Sequence, residues 1–67
     1  MSSRKERAAM ILSRKIDLFL RRTGMSATRF GLILARDPNL VREMRAGRQP
    51  RAGLRRRIEA MLAGEGA

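Results

Sequence analysis

The sequence has no cysteine and no histidine, and these absences remove several classes of protein. Without them the chain can form no disulfide, and it lacks the usual zinc ligands and the usual acid–base residue of enzymes. Its six carboxylates are scattered, without the paired spacing of a metal site or a general-acid pair. No glycine-rich phosphate-binding loop is present. The sequence therefore predicts no enzymatic activity, no cofactor and no metal site.

Negative charge is also scarce. Six Asp and Glu residues stand against 16 Lys and Arg residues, which gives a net charge of +10 over 67 residues. Such an excess indicates a polyanionic partner, with nucleic acid as the first candidate and an anionic membrane surface as the second. No apolar run approaches the roughly 20 residues of a membrane-spanning helix, and residues 8–12 are too short for a secretory signal. We expect a cytoplasmic, nucleoid-associated protein.

Aromatic residues are limited to two Phe, so the core must be mainly aliphatic. A chain of this length has room for a single domain, residues 1–67, that buries only about 60% of its unfolded surface. Hydrophobic periodicity and helix-capping signals predict an all-α domain of four helices, at about residues 4–23, 27–35, 38–46 and 51–63.

The first helix is long for a small domain. A capping box at Ser3 and Glu6 begins it, and Gly24 suits its end. Its core-facing arc contains Ala8, Ala9, Leu12, Ile16, Phe19 and Leu20. A second arc is basic, with Arg4, Arg7, Arg14, Lys15, Arg21 and Arg22, and fits either a solvated face or a surface that meets phosphates. Met10, Ile11 and Leu18 lie on the basic side, either as ordinary exposed residues or as a contact with a second copy of the chain.

The third predicted helix has both ends marked. Asp37 suits the N-cap, Pro38 suits the first helical position, and Gly47 suits the left-handed residue that ends a helix. Val41 and Met44 give it a narrow apolar stripe. A helix this short must be held by its neighbours.

The second and third helices resemble a known family. Residues 26–47, which read SATRFGLILARDPNLVREMRAG, are similar to the helix-turn-helix of the Cro and phage-repressor (XRE-like, lambda-repressor-like) family. The resemblance covers roughly residues 16–62 and lies in spacing more than in identities. It implies buried side chains at Phe30, Leu34, Val41 and Met44. It also implies a small residue, Gly31, where the two helices touch.

The resemblance further implies a DNA-binding surface. The outward positions of the third helix, which would read bases, are Asn39, Arg42 and Glu43. The positions that would contact phosphates are Thr28, Arg29, Arg36, Arg45, Arg48, Gln49 and Arg51. Two alternatives stay open: Arg42 could contact phosphate instead of a base, and Glu43 could pair with an arginine, which we favour over contact with a base.

Two residues of the turn depart from the family pattern. Ala35 stands where glycine is usual, and a positive φ there would strain it. Arg36 follows where an apolar, buried residue is usual. Its aliphatic stem could pack while the guanidinium reaches solvent, or the turn could have another shape.

These observations predict a sequence-specific, double-stranded DNA-binding transcriptional regulator of bacterial or phage type. A homodimer, or cooperative pairing on DNA, is a possible state, and we expect no membrane partner. The main alternative is a nucleoid or architectural protein that coats DNA with little sequence preference. A further alternative is a membrane-active or RNA-binding accessory protein, because the first helix is basic and amphipathic.

Overall fold

The computed structural model describes residues 4–64, apart from the side chains of Lys5, Glu6, Ala8 and Ala9. It contains four helices, α1 (Arg4–Thr23), α2 (Ala27–Ala35), α3 (Leu40–Arg45) and α4 (Ala52–Leu62), and no strand within those residues. The prediction of an all-α chain with four helices is confirmed. The predicted capping box at Ser3 and Glu6 and the predicted core positions Ala8 and Ala9 fall outside what the structure describes.

Local capping explains where α1 ends and α2 begins. Gly24 has a φ of +74° and donates its N–H to the carbonyl of Leu20 at 2.9 Å. A left-handed residue of this kind ends a helix at little cost when it is glycine. Ser26 has extended backbone angles, and its hydroxyl accepts the N–H of Arg29 at 3.1 Å. These contacts confirm Gly24 as the residue that ends α1 and Ser26 as the N-cap of α2.

The core gathers side chains from all four helices. Among the described residues, its buried members are Leu12, Ile16, Phe19, Leu20, Phe30, Leu34, Leu40, Val41, Met44 and Ile58. The rings of Phe19 and Phe30 meet edge-on with centroids 5.8 Å apart, which joins α1 to α2. Phe30, Leu34, Val41 and Met44 are buried, as the resemblance implies.

Two apolar residues differ from the sequence reading. Leu40 is fully buried, although the sequence indicated only Val41 and Met44 as the apolar stripe of this helix. Ile33, which fits the apolar pattern of α2, is 50% exposed. Phe30 and Leu34 are one helical turn apart and already fill the side of α2 that faces the core, so Ile33 lies to one side of it.

Candidate nucleic-acid interface

The connection between α2 and α3, residues 36–39, contains the left-handed residue of the turn. Arg36 has a φ of +52° and donates its N–H to the carbonyl of Leu32 at 3.0 Å. Ala35 belongs to α2 and does not have a positive φ, so the strain considered for it from the sequence does not arise. The helix continues one residue further, and Arg36 ends it with its side chain exposed rather than buried.

The start of α3 also differs from the prediction. The helix begins at Leu40 rather than at Pro38, and the residue in the N-cap position is Asn39 rather than Asp37. The carbonyl of Asp37 accepts the N–H of Leu40 at 3.2 Å, and its carboxylate accepts the N–H of Asn39 at 2.9 Å. Asp37 therefore caps a turn that precedes the helix. The side chain of Asn39 makes no capping hydrogen bond and is exposed.

Gly31 sets how closely α2 approaches this turn. A Cβ atom on Gly31 would lie 2.1 Å from the carbonyl oxygen of Asp37 and 3.1 Å from Cβ of Leu40. The first distance is far below van der Waals contact, and its partner is backbone rather than a flexible side chain. The resemblance implies a small residue here, and the structure restricts the position to glycine.

Two backbone hydrogen bonds end α3. Gly47 has a φ of +109° and donates to the carbonyl of Met44 at 3.0 Å, while Arg48 donates to the carbonyl of Glu43 at 2.9 Å. These two bonds define the Schellman motif, which ends a helix at a left-handed glycine. The prediction that Gly47 ends this helix is confirmed. α3 is thus fixed at both ends by its own local contacts.

The outward side of α3 presents Asn39 and Arg42. Leu40, Val41 and Met44 face the core, and the helical period places Asn39 and Arg42 on the opposite side, where both are exposed. Neither side chain makes a hydrogen bond or ion pair with any other residue in the described part of the chain. Their polar groups are therefore available to a ligand.

The two residues at the margins of this surface are engaged with the protein itself. Nη2 of Arg45 lies 2.6 Å from Oδ1 of Asp17, which links α3 to α1. Nη1 of Arg48 lies 2.8 Å from Oδ2 of Asp37 and also contacts Oε2 of Glu43. All of these pairs are exposed, and surface pairs of this kind contribute at most about 1 kcal/mol each. The pair of Arg45 with Asp17 is thus a single weak surface contact, whereas Arg48 is held by two carboxylates.

The contact between Arg48 and Asp37 favours the charged form of both residues. The hydrogen bond from Arg48, followed by the one from the backbone of Asn39, lowers the pKa of the Asp37 carboxyl from its ordinary value. The same contact with Asp37, and then the one with Glu43, raise the pKa of Arg48. Asp37 and Arg48 are accordingly both charged at neutral pH. The pairing of Glu43 with an arginine is the alternative that we favoured from the sequence.

The other predicted phosphate contacts are all exposed and lie at three places along the chain. Thr28 and Arg29 lie in the first turn of α2, where the N–H groups of Ala27 and Thr28 have no acceptor among residues 4–64. Arg36 follows at the other end of α2. Gln49 and Arg51 lie between α3 and α4. Backbone N–H groups at a helix N-terminus are suited to bind anions.

Arg51 occupies an unusual position. Its φ of −66° and ψ of 161° are the extended angles of an N-cap residue, and it immediately precedes α4. An arginine side chain has no acceptor to offer, and the structure gives it no capping hydrogen bond. Ser, Thr, Asp and Asn are the residues that stabilise this position. Arg51 therefore leaves α4 less stable than a capping residue would, and it places a positive charge beside uncapped N–H groups.

The sequence reading missed Arg57. Its Nη1 donates to the carbonyl of Leu34 at 3.2 Å, in the last turn of α2, and so ties α4 to the helix that supports α3. A cation near the C-terminus of a helix is favourable, because the carbonyls there carry partial negative charge. In the sequence Arg57 belongs to a run of three arginines, and nothing distinguished it from Arg55 and Arg56.

The outer side of α1 carries the apolar stripe that the sequence indicated. Ile11 and Leu18 are 56% and 65% exposed, and Arg14 and Arg21 border them. A second copy docked against this side would bring like charges together, which is unfavourable unless an anion lies between the copies. Contact with a second copy stays a prediction.

Comparison of the chain with protein-family models, with curated proteins and with solved structures found no match in any of the three. Among the helices of residues 4–64, none is both long and apolar enough to span a bilayer.

Proposed function

We propose that the protein is a sequence-specific, double-stranded DNA-binding transcriptional regulator. In this proposal α2 and α3 form a helix-turn-helix, with α3 in the major groove and α2 over the phosphate backbone. One observation carries the proposal: Asn39 and Arg42 present unengaged polar groups at the start of α3 and on its outward side, and exposed arginines precede and follow α3 along the chain. A surface of this kind combines base reading with attachment to phosphates.

Base reading depends on Asn39 and Arg42. An asparagine amide can form two hydrogen bonds with N7 and N6 of adenine, and an arginine guanidinium can donate two hydrogen bonds to O6 and N7 of guanine. Of the adenine pair, the amide nitrogen donates to N7 and the amide oxygen accepts from N6. Pro38, which precedes them, offers no donor. The engagement of Glu43 with Arg48 supports reading by two residues rather than three.

Attachment to the backbone depends on charges placed beside helix N-termini. Arg29 accompanies the N-terminus of α2, and Arg51 accompanies that of α4. Each contact with a phosphate releases a condensed counterion, so affinity falls steeply as salt rises. Arg36 and Gln49 would add contacts on either side of α3. Arg45 would add a contact by exchanging its single carboxylate partner, Asp17, for a phosphate.

Selection of bound duplexes from a random-sequence pool tests the proposal. We expect an enriched motif that contains adenine and guanine at fixed spacing, and a palindrome would indicate two copies on one site. Binding without an enriched motif would favour the architectural alternative instead. Titrating salt on a random duplex should give a linear fall of log K against log salt concentration, with a slope of about −0.9 for each phosphate contact. Affinity that does not change with salt would contradict the proposal.

Replacing Arg51 with serine should separate stability from DNA binding. A serine hydroxyl can cap α4, so we expect the free energy of unfolding to rise by about 1 kcal/mol. The lost cation should weaken binding to every duplex and make the salt slope shallower by about 0.9. Thermal melting followed by circular dichroism and a salt titration measure the two effects. A variant that is more stable but binds random DNA as tightly as the parent would remove Arg51 from the interface.

A further inference from the structure

The contact of Arg48 with two carboxylates is a feature that the proposed function does not use. We call Asp37, Glu43 and Arg48 the Arg48 cluster. Nη1 of Arg48 lies 2.8 Å from Oδ2 of Asp37 and contacts Oε2 of Glu43, and 40% of the Arg48 side chain is exposed. The three residues come from the connection before α3, from α3 itself and from the segment after it. The cluster thus spans α3 from its start to its end.

Backbone contacts hold the cluster in place. Arg48 donates its N–H to the carbonyl of Glu43 at 2.9 Å, so the two residues are joined by backbone as well as by side chains. The other carboxylate oxygen of Asp37 accepts the N–H of Asn39 at 2.9 Å. A continuous chain of contacts therefore connects Arg48, through Asp37, to the residue that we propose reads adenine.

The cluster opposes the overall charge of the protein. Two carboxylates and one guanidinium leave one net negative charge in this cluster, whereas the chain as a whole carries +10. A negative charge beside the outward side of α3 repels phosphates of any sequence. It also engages the Nη1 donors of Arg48, which would otherwise be free to contact a phosphate. Both effects lower the affinity of the protein for DNA of any sequence.

We propose that the Arg48 cluster determines specificity, by keeping Arg48 away from phosphates while it fixes the backbone of Asn39 for base reading. This inference rests on the proposed function. Non-specific binding is almost wholly electrostatic, so withholding one cation weakens it. Specific binding also needs Asn39 in position, which the same carboxylate secures. Breaking the cluster should raise affinity for random DNA more than affinity for the selected site.

The test compares Glu43→Gln with Glu59→Gln. Each change removes one negative charge from the partners of an arginine: Glu43 is one of the two carboxylates that contact Arg48, and Glu59 pairs with Arg55 within α4 at 3.3 Å. We expect Glu43→Gln to bind a random duplex roughly fivefold to tenfold tighter at 0.1 M salt, with a salt slope steeper by about 0.9. The gain on the selected site should be smaller, so the ratio of specific to random affinity falls. Glu59→Gln should leave that ratio unchanged.

A double-mutant cycle shows whether the effect passes through Arg48. In an Arg48→Ala background, Glu43→Gln should alter random-DNA affinity no more than Glu59→Gln does. Asp37→Asn provides an independent variant, because it keeps an acceptor for the N–H of Asn39 but loses the charge. It should also lower the affinity ratio. Unchanged circular dichroism spectra would show that these exposed substitutions leave the fold intact.

Several outcomes would overturn the inference. Equal gains from Glu43→Gln and Glu59→Gln would mean that net charge alone matters. If Glu43→Gln still raises the affinity for random DNA in the Arg48→Ala background, beyond the effect of Glu59→Gln, then the cluster does not act by keeping Arg48 away from phosphates. A loss of preference at one base pair in the Glu43→Gln variant would assign Glu43 to base reading. A parent protein that binds no duplex refutes the proposed function and this inference together, whereas the other outcomes refute only the inference.

Discussion

Replacing Gly31 with alanine should destabilise the protein more than any exposed substitution considered above. The added Cβ would stand 2.1 Å from the carbonyl oxygen of Asp37, and backbone cannot turn aside as a long side chain can. Overpacking typically costs 1–3 kcal/mol and occasionally more, and we expect about 3 kcal/mol here. The total stability of a domain of this size is only about 3–10 kcal/mol. The melting temperature of the Gly31→Ala variant should therefore fall by about 12–24 °C.

Gly53 provides the matched control. It lies in the first turn of α4, and a Cβ atom there would meet nothing within 4 Å. Gly53→Ala should raise stability by up to about 1 kcal/mol, because alanine favours the helix and restricts the unfolded chain. The same chemical change should thus have opposite effects at the two positions. Equal melting temperatures for the parent and Gly31→Ala would mean that α2 and the turn before α3 do not approach so closely.

Replacing Arg42 with alanine should give the largest loss of DNA binding among single substitutions on α3. A bidentate contact to guanine contributes about 1–3 kcal/mol of discrimination, which is a loss of roughly fivefold to 150-fold in affinity for the selected site. Arg42 is exposed and forms no ion pair with another residue of the described chain, so its loss should leave the fold unchanged. On random DNA the loss should be much smaller. Competition binding with both duplexes measures the two values.

Arg56 is the control for the lost charge. It lies two residues before the buried Ile58, so the helical period turns it about 200° away, to the solvent side of α4. Arg56→Ala should weaken both duplexes slightly and by the same factor. If Arg42→Ala behaves in the same way, with equal losses on both duplexes, then Arg42 contacts phosphate and not a base. That alternative was left open by the sequence.

Many helix ends and buried positions could be predicted from the sequence, because they depend on neighbouring residues along the chain. Gly24 and Gly47 were read correctly as helix ends, because a left-handed residue at that place depends on only a few neighbouring atoms. Val41 and Met44 were correctly predicted as the apolar stripe of the third helix, because helical periodicity turns one face toward the core. The exposed stripe of Ile11 and Leu18 follows from the same periodicity.

The turn between α2 and α3 could not be read in this way. Asp37 and Pro38 carry good signals for a helix start, yet they form a separate turn before Leu40. The close approach of the Asp37 carbonyl to Gly31 and the complete burial of Leu40 accompany this arrangement, and both are contacts between elements. Local propensity is worth a few tenths of a kcal/mol to about 1 kcal/mol per residue, so packing can override it.

The sequence by itself determined the all-helical chain, its most evident helix ends and its strongly basic surface, because composition and local periodicity fix these properties. Only the tertiary structure decided which charged residues engage one another. Arg48 joins Asp37 and Glu43, Arg45 joins Asp17, and Arg42 joins none of the described residues. The sequence does not show which carboxylate each of these arginines contacts. Their partners differ because folding brings distant carboxylates beside some of them and leaves Arg42 facing outward.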